Sequence, residues 1–224
     1  MNAITRTLNT SRLFVISFTV YLIIAALYCS SASKADCFIH LNFMHTPALD
    51  SFFTVYTMLG DGLILIVLLT ILLLCRRYLQ SIHVVVAFLA SGLVAQVIKE
   101  LTHAPRPRTF LQPGQYQYFI DGVTGGGWAS FPSGHTTTAF AIATVMALHA
   151  RNQWVGMLYL VLAISVGYSR IYLGQHFPQD VLAGSIIGVF FAACIYVIIP
   201  QVKLFGRRLS PEPAAHNFVT LELP

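Results

Sequence analysis

Ser169-Arg170-Ile171-Tyr172-Leu173-Gly174-Gln175-His176-Phe177-Pro178-Gln179-Asp180 joins two apolar runs, 154–172 and 181–199. Each run approaches the roughly 20 residues that cross a bilayer as a helix. The link between them gathers a guanidinium, an imidazole and a carboxylate. Pro178 suits the first position of a helix, which places Asp180 in its first turn. An imidazole four residues before a carboxylate, at a helix entrance, can be oriented by it and made more nucleophilic. Arg170 adds a permanently charged fork suited to a phosphate. The stretch also reads as an interfacial loop with a helix-capping Asp, so the other polar residues must decide.

Working outward, the 224 residues are 56% hydrophobic and only 9% charged. A soluble domain has about a quarter of its residues charged. The expectation is one all-α membrane domain, a polytopic bundle of six transmembrane helices covering 13–200. The spans fall at 13–29, at a run ending with Cys75, and at 82–99, 134–150, 154–172 and 181–199. Residues 1–12 and 201–224 are polar and flank this domain; the second, Pro-containing, reads as poorly ordered. The first span can alternatively be a signal-peptide core, because Ser31-Ala32-Ser33 resembles a cleavage site, but its length favours a retained helix.

Basic residues orient the bundle. With the N-terminus cytoplasmic, Arg6, Arg12, Arg76, Arg77, Arg151, Lys203, Arg207 and Arg208 fall inside, and Lys34, Lys99, Arg106, Arg108 and Arg170 outside. The excess inside follows the positive-inside rule and puts both termini in the cytoplasm. The net charge of +5 therefore follows the membrane and is no nucleic-acid footprint. Four of the five outer cations sit in stretches that carry chemistry.

In this topology, spans three and five end, and spans four and six begin, at one membrane face. That brings Lys99 and Arg106, Ser133-Gly134-His135, and Arg170 with His176 and Asp180 to the same surface. Prolines 105 and 107 stop the third helix, so the chain can turn and aim Lys99 and Arg106 at one anion. Ser133 and Gly134 open the fourth helix, whose free N–H groups and dipole favour an oxyanion; Gly134 permits close approach. His135 can act as a general acid there. Asp61, near the outer boundary of span two, reads as a structural cap, and His40 and His45 as surface residues. Aromatics in the Pro- and Gly-rich connection 104–131 read as an interfacial belt. Cys29 and Cys37 flank the first outer loop and can pair in an oxidising compartment, although sequence supplies no Cα distance. Cys75 and Cys194 read as small core residues.

The three stretches resemble the motifs of the type 2 phosphatidic acid phosphatase family: K-x-x-x-x-x-x-R-P at 99–107, P-S-G-H at 132–135, and S-R-x-x-x-x-x-H-x-x-x-D at 169–180. The site is also similar to that of the vanadium haloperoxidases, whose soluble scaffold six spans argue against. The resemblance implies a lipid phosphate or pyrophosphate phosphatase with His176 as nucleophile and Asp180 orienting it. His135 would serve as acid and base, and Lys99, Arg106, Ser133, Gly134 and Arg170 would bind phosphate. No acidic cluster offers a metal cage, so no metal or cofactor is expected. Partners would be the bilayer and a membrane lipid phosphate. In a bacterial inner membrane the site would face the periplasm. A phosphotransferase sharing the intermediate, or a non-enzymatic lipid transporter, remain alternatives at this level.

Overall fold

The computed structural model describes residues 3–199, of which 3–10 by backbone alone. The polar tail expected at 201–224 lies outside the described residues. Within them the structure is helical, with no strand.

Helix α1, Ala3–Ser31, starts inside the segment expected to be polar, ahead of the span expected at 13–29. A short helix α2, Lys34–Leu41, is capped by Ser33, whose Oγ accepts from the Asp36 N–H. Helix α3, Pro47–Tyr56, carries proline at its start and a Thr46 cap. A 3₁₀ turn, Thr57–Gly60, leads from α3 to α4, Gly62–Leu74. Asp61 caps α4 through Oδ1, which accepts from the Gly62 N–H at 2.6 Å. Asp61 thus caps the helix that ends before Cys75, as expected, and α3 with its 3₁₀ turn meets that helix at 57°.

Helix α5, Tyr78–Thr102, stops where His103 takes a left-handed conformation with φ 45°, ahead of the two prolines. One turn follows, α6 at Pro107–Phe110, and then the connection to α7, Gly134–His149. Helices α8, Gln153–Tyr172, and α9, Pro178–Ile198, complete the described chain. Asn152 caps α8 through Oδ1, and Pro178 opens α9 with Asp180 in its first turn. Four segments are long and apolar enough to cross a membrane: Ser11–Ser31, Tyr78–Phe110, Gln153–Tyr172 and Pro178–Ile198. The bent pair α3–α4 makes a fifth if it counts as one span.

Helix α7 is 16 residues long, roughly 24 Å at 1.5 Å per residue. It occupies the centre of the bundle, packed on α9, α8 and α5. Small side chains let the backbones meet. A Cβ on Gly188 would lie 2.5 Å from the Thr137 carbonyl, and one on Gly184 2.7 Å from that of Ser133. Such close approach is how helices associate where lipid removes the hydrophobic drive between them. Phe14, Phe18, Phe140, Leu160 and Val166 fill one side of α7, and Leu65, Leu72, Val84 and Val145 the other. The exterior is apolar as well, with Ile24, Leu63, Leu93 and Phe190 exposed, as a lipid-facing surface requires.

The connection after α6 does not form the expected outer belt throughout. Tyr116 turns inward and packs with Phe38, Leu111, Ile171 and Phe177, roofing one end of the bundle. Tyr118 and Trp128 remain exposed. All four cysteines are free thiols. Cys75 is exposed at the end of α4 and Cys194 is half-buried, so neither is a core residue. Their helices turn those faces outward.

Candidate active site

The chain geometry brings all three motifs to one end of the bundle. Lys99 stands in the last turn of α5, Ser133 and Gly134 open α7, Arg170 stands in the last turn of α8, and Asp180 lies in the first turn of α9. A Cβ on Gly134 would sit 3.5 Å from Lys99 Nζ, so the glycine backbone and the ammonium share one space. That is the close approach for which glycine suits this position.

His176 is buried, and its Nδ1 lies 3.5 Å from Asp180 Oδ2. The same carboxylate oxygen accepts from Ser130 Oγ at 2.5 Å and from the Phe177 N–H at 2.9 Å. Two other donors thus fix the carboxylate that faces the imidazole. Burial pushes the His176 imidazole down to about 4, against the opposing pull of Asp180, so the ring is neutral at pH 7.

The cations are held, not loose. Arg170 Nη1 donates to Thr57 Oγ1 at 2.8 Å, while its buried Nε has no partner. Arg106 Nη1 donates to Gln175 Oε1, and Gln175 Nε2 donates to the Val123 carbonyl at 2.5 Å. Ser133 Oγ accepts from Thr136 Oγ1 at 2.8 Å and from the Thr136 N–H at 3.4 Å. Its own O–H stays available to an incoming oxygen. The Ser133 N–H donates to the Asp180 carbonyl at 3.0 Å and locks the second motif to the third.

A cavity of about 220 Å³ opens beside these groups, and Lys99, Gly134 and His135 line it. Asp61 lines it too, so the expected cap also stands at the site. Among the described residues, no group of three or more His, Cys, Asp or Glu is arranged to hold a metal ion.

Sequence reading missed Ser130, Gln175 and Thr57, which hold Asp180, Arg106 and Arg170. Gln175 had a signal, being a polar residue beside His176 between apolar runs. Ser130, in a Gly-rich connection, and Thr57, in an apolar helix, had none. His45 was expected at the surface, yet its side chain is only 5% exposed. Its Nδ1 lies 2.9 Å from Asp50 Oδ1 and its Nε2 3.1 Å from Asn42 Oδ1, and its ring stacks on Tyr172 at 4.2 Å. The network ties the start of α3 to the turn of α8 that carries Arg170. Arg108 braces the connection instead of the site, donating to the Thr124 carbonyl and to Asp121.

Residues 80–203 match the model of the PAP2 superfamily. The chain belongs to that superfamily. It is 31% identical over 137 residues to the lipid A 4'-phosphatase of Bacteroides thetaiotaomicron, covering 61% of this chain and 59% of that one. It is 32% identical over 138 residues to the bacitracin transport permease protein BcrC of Bacillus licheniformis, covering 60% of this chain and 63% of that one. Each alignment thus spans less than two thirds of the relative. The crystal structure of Aquifex aeolicus LpxE superposes with a TM-score of 0.64 at 31% identity, covering 74% of this chain and 96% of that one. A PAP2-type phosphatidylglycerolphosphate phosphatase from Bacillus subtilis shares the fold, with a TM-score of 0.63 at 24% identity over 86% and 98% of the two chains.

Proposed function

We propose that this superfamily member is an integral-membrane phosphatase that hydrolyses a lipid phosphomonoester or pyrophosphate through a phosphohistidine, without a metal cofactor. The observation that carries this reading is the buried stretch 170–179. There a neutral imidazole faces a fixed carboxylate, and an arginine Nε waits without a partner. Relatives named as lipid A phosphatase and undecaprenyl-diphosphatase support the substrate class.

Asp180 holds the Nδ1–H of His176, which leaves the Nε2 lone pair to attack phosphorus. As the P–N bond forms and the P–O bond breaks, His135 gives its proton to the leaving oxygen. His135 then takes a proton from water, whose oxygen attacks phosphorus. The P–N bond breaks, its electrons return to the His176 ring, and inorganic phosphate departs. Lys99, Arg106, Arg170, the Ser133 hydroxyl and the Gly134 N–H hold the nonbridging oxygens. Phosphoryl transfer needs positioning and charge stabilisation above all, and this donor set supplies both. The basic-residue count supports six spans with cytoplasmic termini, α7 and the bent α3–α4 pair included, and a periplasmic site in a bacterial inner membrane.

Quenching turnover at alkaline pH, which preserves phosphohistidine, and mapping the label by peptide tests the chemistry. Label is expected on His176. His135→Ala should cut turnover by about 10²–10⁴-fold, yet still form phosphoenzyme from a substrate with an activated leaving group. Label on His135 would reverse the two roles, and full activity in His176→Ala would remove the nucleophile.

A further inference from the structure

The cavity beside His135 has two chemically different sides. Lys99 and the Gly134 backbone face the phosphate position, while Gly60, Asp61 and Gln96 line the wall formed by the 3₁₀ turn and α5. Gly60 is packed against the general acid: a Cβ there would lie 2.9 Å from the His135 carbonyl and 3.0 Å from its Cβ. Asp61, the next residue, is thereby held on the His135 side, where the leaving oxygen must sit to collect its proton.

That wall is rich in acceptors. Asp61 uses Oδ1 to cap α4, and a carboxylate retains further lone pairs beyond one such bond. Gln96 adds an amide to the same wall, its Nε2–H donating to Glu100 Oε1 at 2.7 Å. A leaving group lodged here meets oxygen acceptors and a fixed negative charge. Hydroxyl or ammonium donors satisfy them, whereas a second phosphate is repelled by the carboxylate.

We infer that Asp61 reads the leaving group, so that the site takes phosphomonoesters of a neutral donor-bearing alcohol, a hexosamine backbone, ahead of prenyl pyrophosphates. Cleaving a prenyl pyrophosphate leaves a prenyl phosphate anion on the Asp61 wall. Cleaving a hexosamine phosphate leaves a neutral alcohol with neighbouring O–H or N–H groups. Asp61 acts through contact with the leaving group, not with the transferred phosphoryl. The inference rests on the phosphatase reading of the same site.

The test uses full-length protein in liposomes, with phosphate release measured from monophosphoryl lipid A, whose hexosamine leaving group is uncharged, and from undecaprenyl pyrophosphate. Asn and Ser cap helices about as well as Asp, so Asp61→Asn and Asp61→Ser keep α4 while removing the charge. Wild type should favour monophosphoryl lipid A in kcat/KM. In both variants that value should fall about tenfold through loss of a charged acceptor. The value for the pyrophosphate should rise about threefold or more as like-charge repulsion disappears. A wild-type preference for the pyrophosphate, or an equal change for both substrates, would overturn the inference while leaving the phosphatase reading intact. Release by wild type from neither of these, nor from phosphatidylglycerol phosphate, would remove both.

Discussion

His83 and His149 near one end of the bundle and His176 near the other are treated in opposite ways. Far from the motifs, His83 and His149 satisfy each other: His83 Nδ1 lies 2.8 Å from His149 Nε2, and His83 Nε2 lies 3.3 Å from the Ile199 carbonyl. Because Nε2 of His83 must donate to that carbonyl, its Nδ1 accepts from His149. Both rings pack on Tyr196 at 5.3 Å. At the motif end, His176 faces a carboxylate at 3.5 Å and shares its surroundings with cations. Three buried side-chain atoms among the described residues have no hydrogen-bond partner: Arg170 Nε, His176 Nδ1 and Gln179 Oε1. All belong to one ten-residue stretch at that end. Histidine content therefore does not mark the site. A buried donor left over for a ligand does: Arg170 Nε awaits one, while His176 Nδ1 faces Asp180.

The comparison can be broken most severely at Asp180. Asp180→Asn keeps the shape but removes the charge that fixes the His176 tautomer, and turnover should fall by on the order of 10²–10⁴-fold. It should also move the acid limb of the kcat/KM profile. In the proposed mechanism His176 attacks only when deprotonated, so its limb in the free enzyme should fall as pH drops through about 4. Asp180 raises that value against burial, so its loss should move the limb to lower pH. A limb that shifts upward would show that Asp180 does not act on His176.

Ser130→Ala is the finer cut. It removes one donor from Asp180 Oδ2 without touching the phosphate position. A hydrogen bond to a charged group corresponds to a loss in kcat of about tenfold to hundredfold. KM should hold, and a change confined to KM would place Ser130 on the substrate instead. The smallest effect on chemistry is expected at the other end. His83→Phe leaves His149 and the Ile199 carbonyl without their partner, costing about 1–3 kcal/mol of stability. The melting temperature should drop while the folded fraction keeps its kcat/KM. A large loss of kcat at unchanged melting temperature would mean that the two ends are coupled.

Much of this site was legible because polar groups are rare in the chain. Against 56% hydrophobic residues, a Lys, an Arg or a His between apolar runs stands out, and span parity alone brings Lys99, His135, Arg170 and Asp180 to one end. The supporting residues were not legible in the same way. Thr57 and Ser130 are ordinary side chains whose significance comes only from the groups they meet, 113 and 50 residues away in sequence. His45 misled for a related reason: its short polar segment reads as surface, and only the fold lays Tyr172 and Asp50 against it.

By itself the sequence determined the helical class, the helix starts at Ser133 and Pro178, the stop before Pro105, and the identity of the charged groups at the site. These follow from local chemistry: caps, prolines and apolar length act within a few residues of themselves. Only the tertiary structure decided that α7 is the central member, that α3 meets α4 at a bend beside Asp61, and that Asp61 faces the same cavity as His135. Those features depend on how closely backbones approach, through Gly60, Gly184 and Gly188, and on which distant donor reaches which acceptor. Contacts of that kind are set by packing in three dimensions, and no spacing along the chain encodes them.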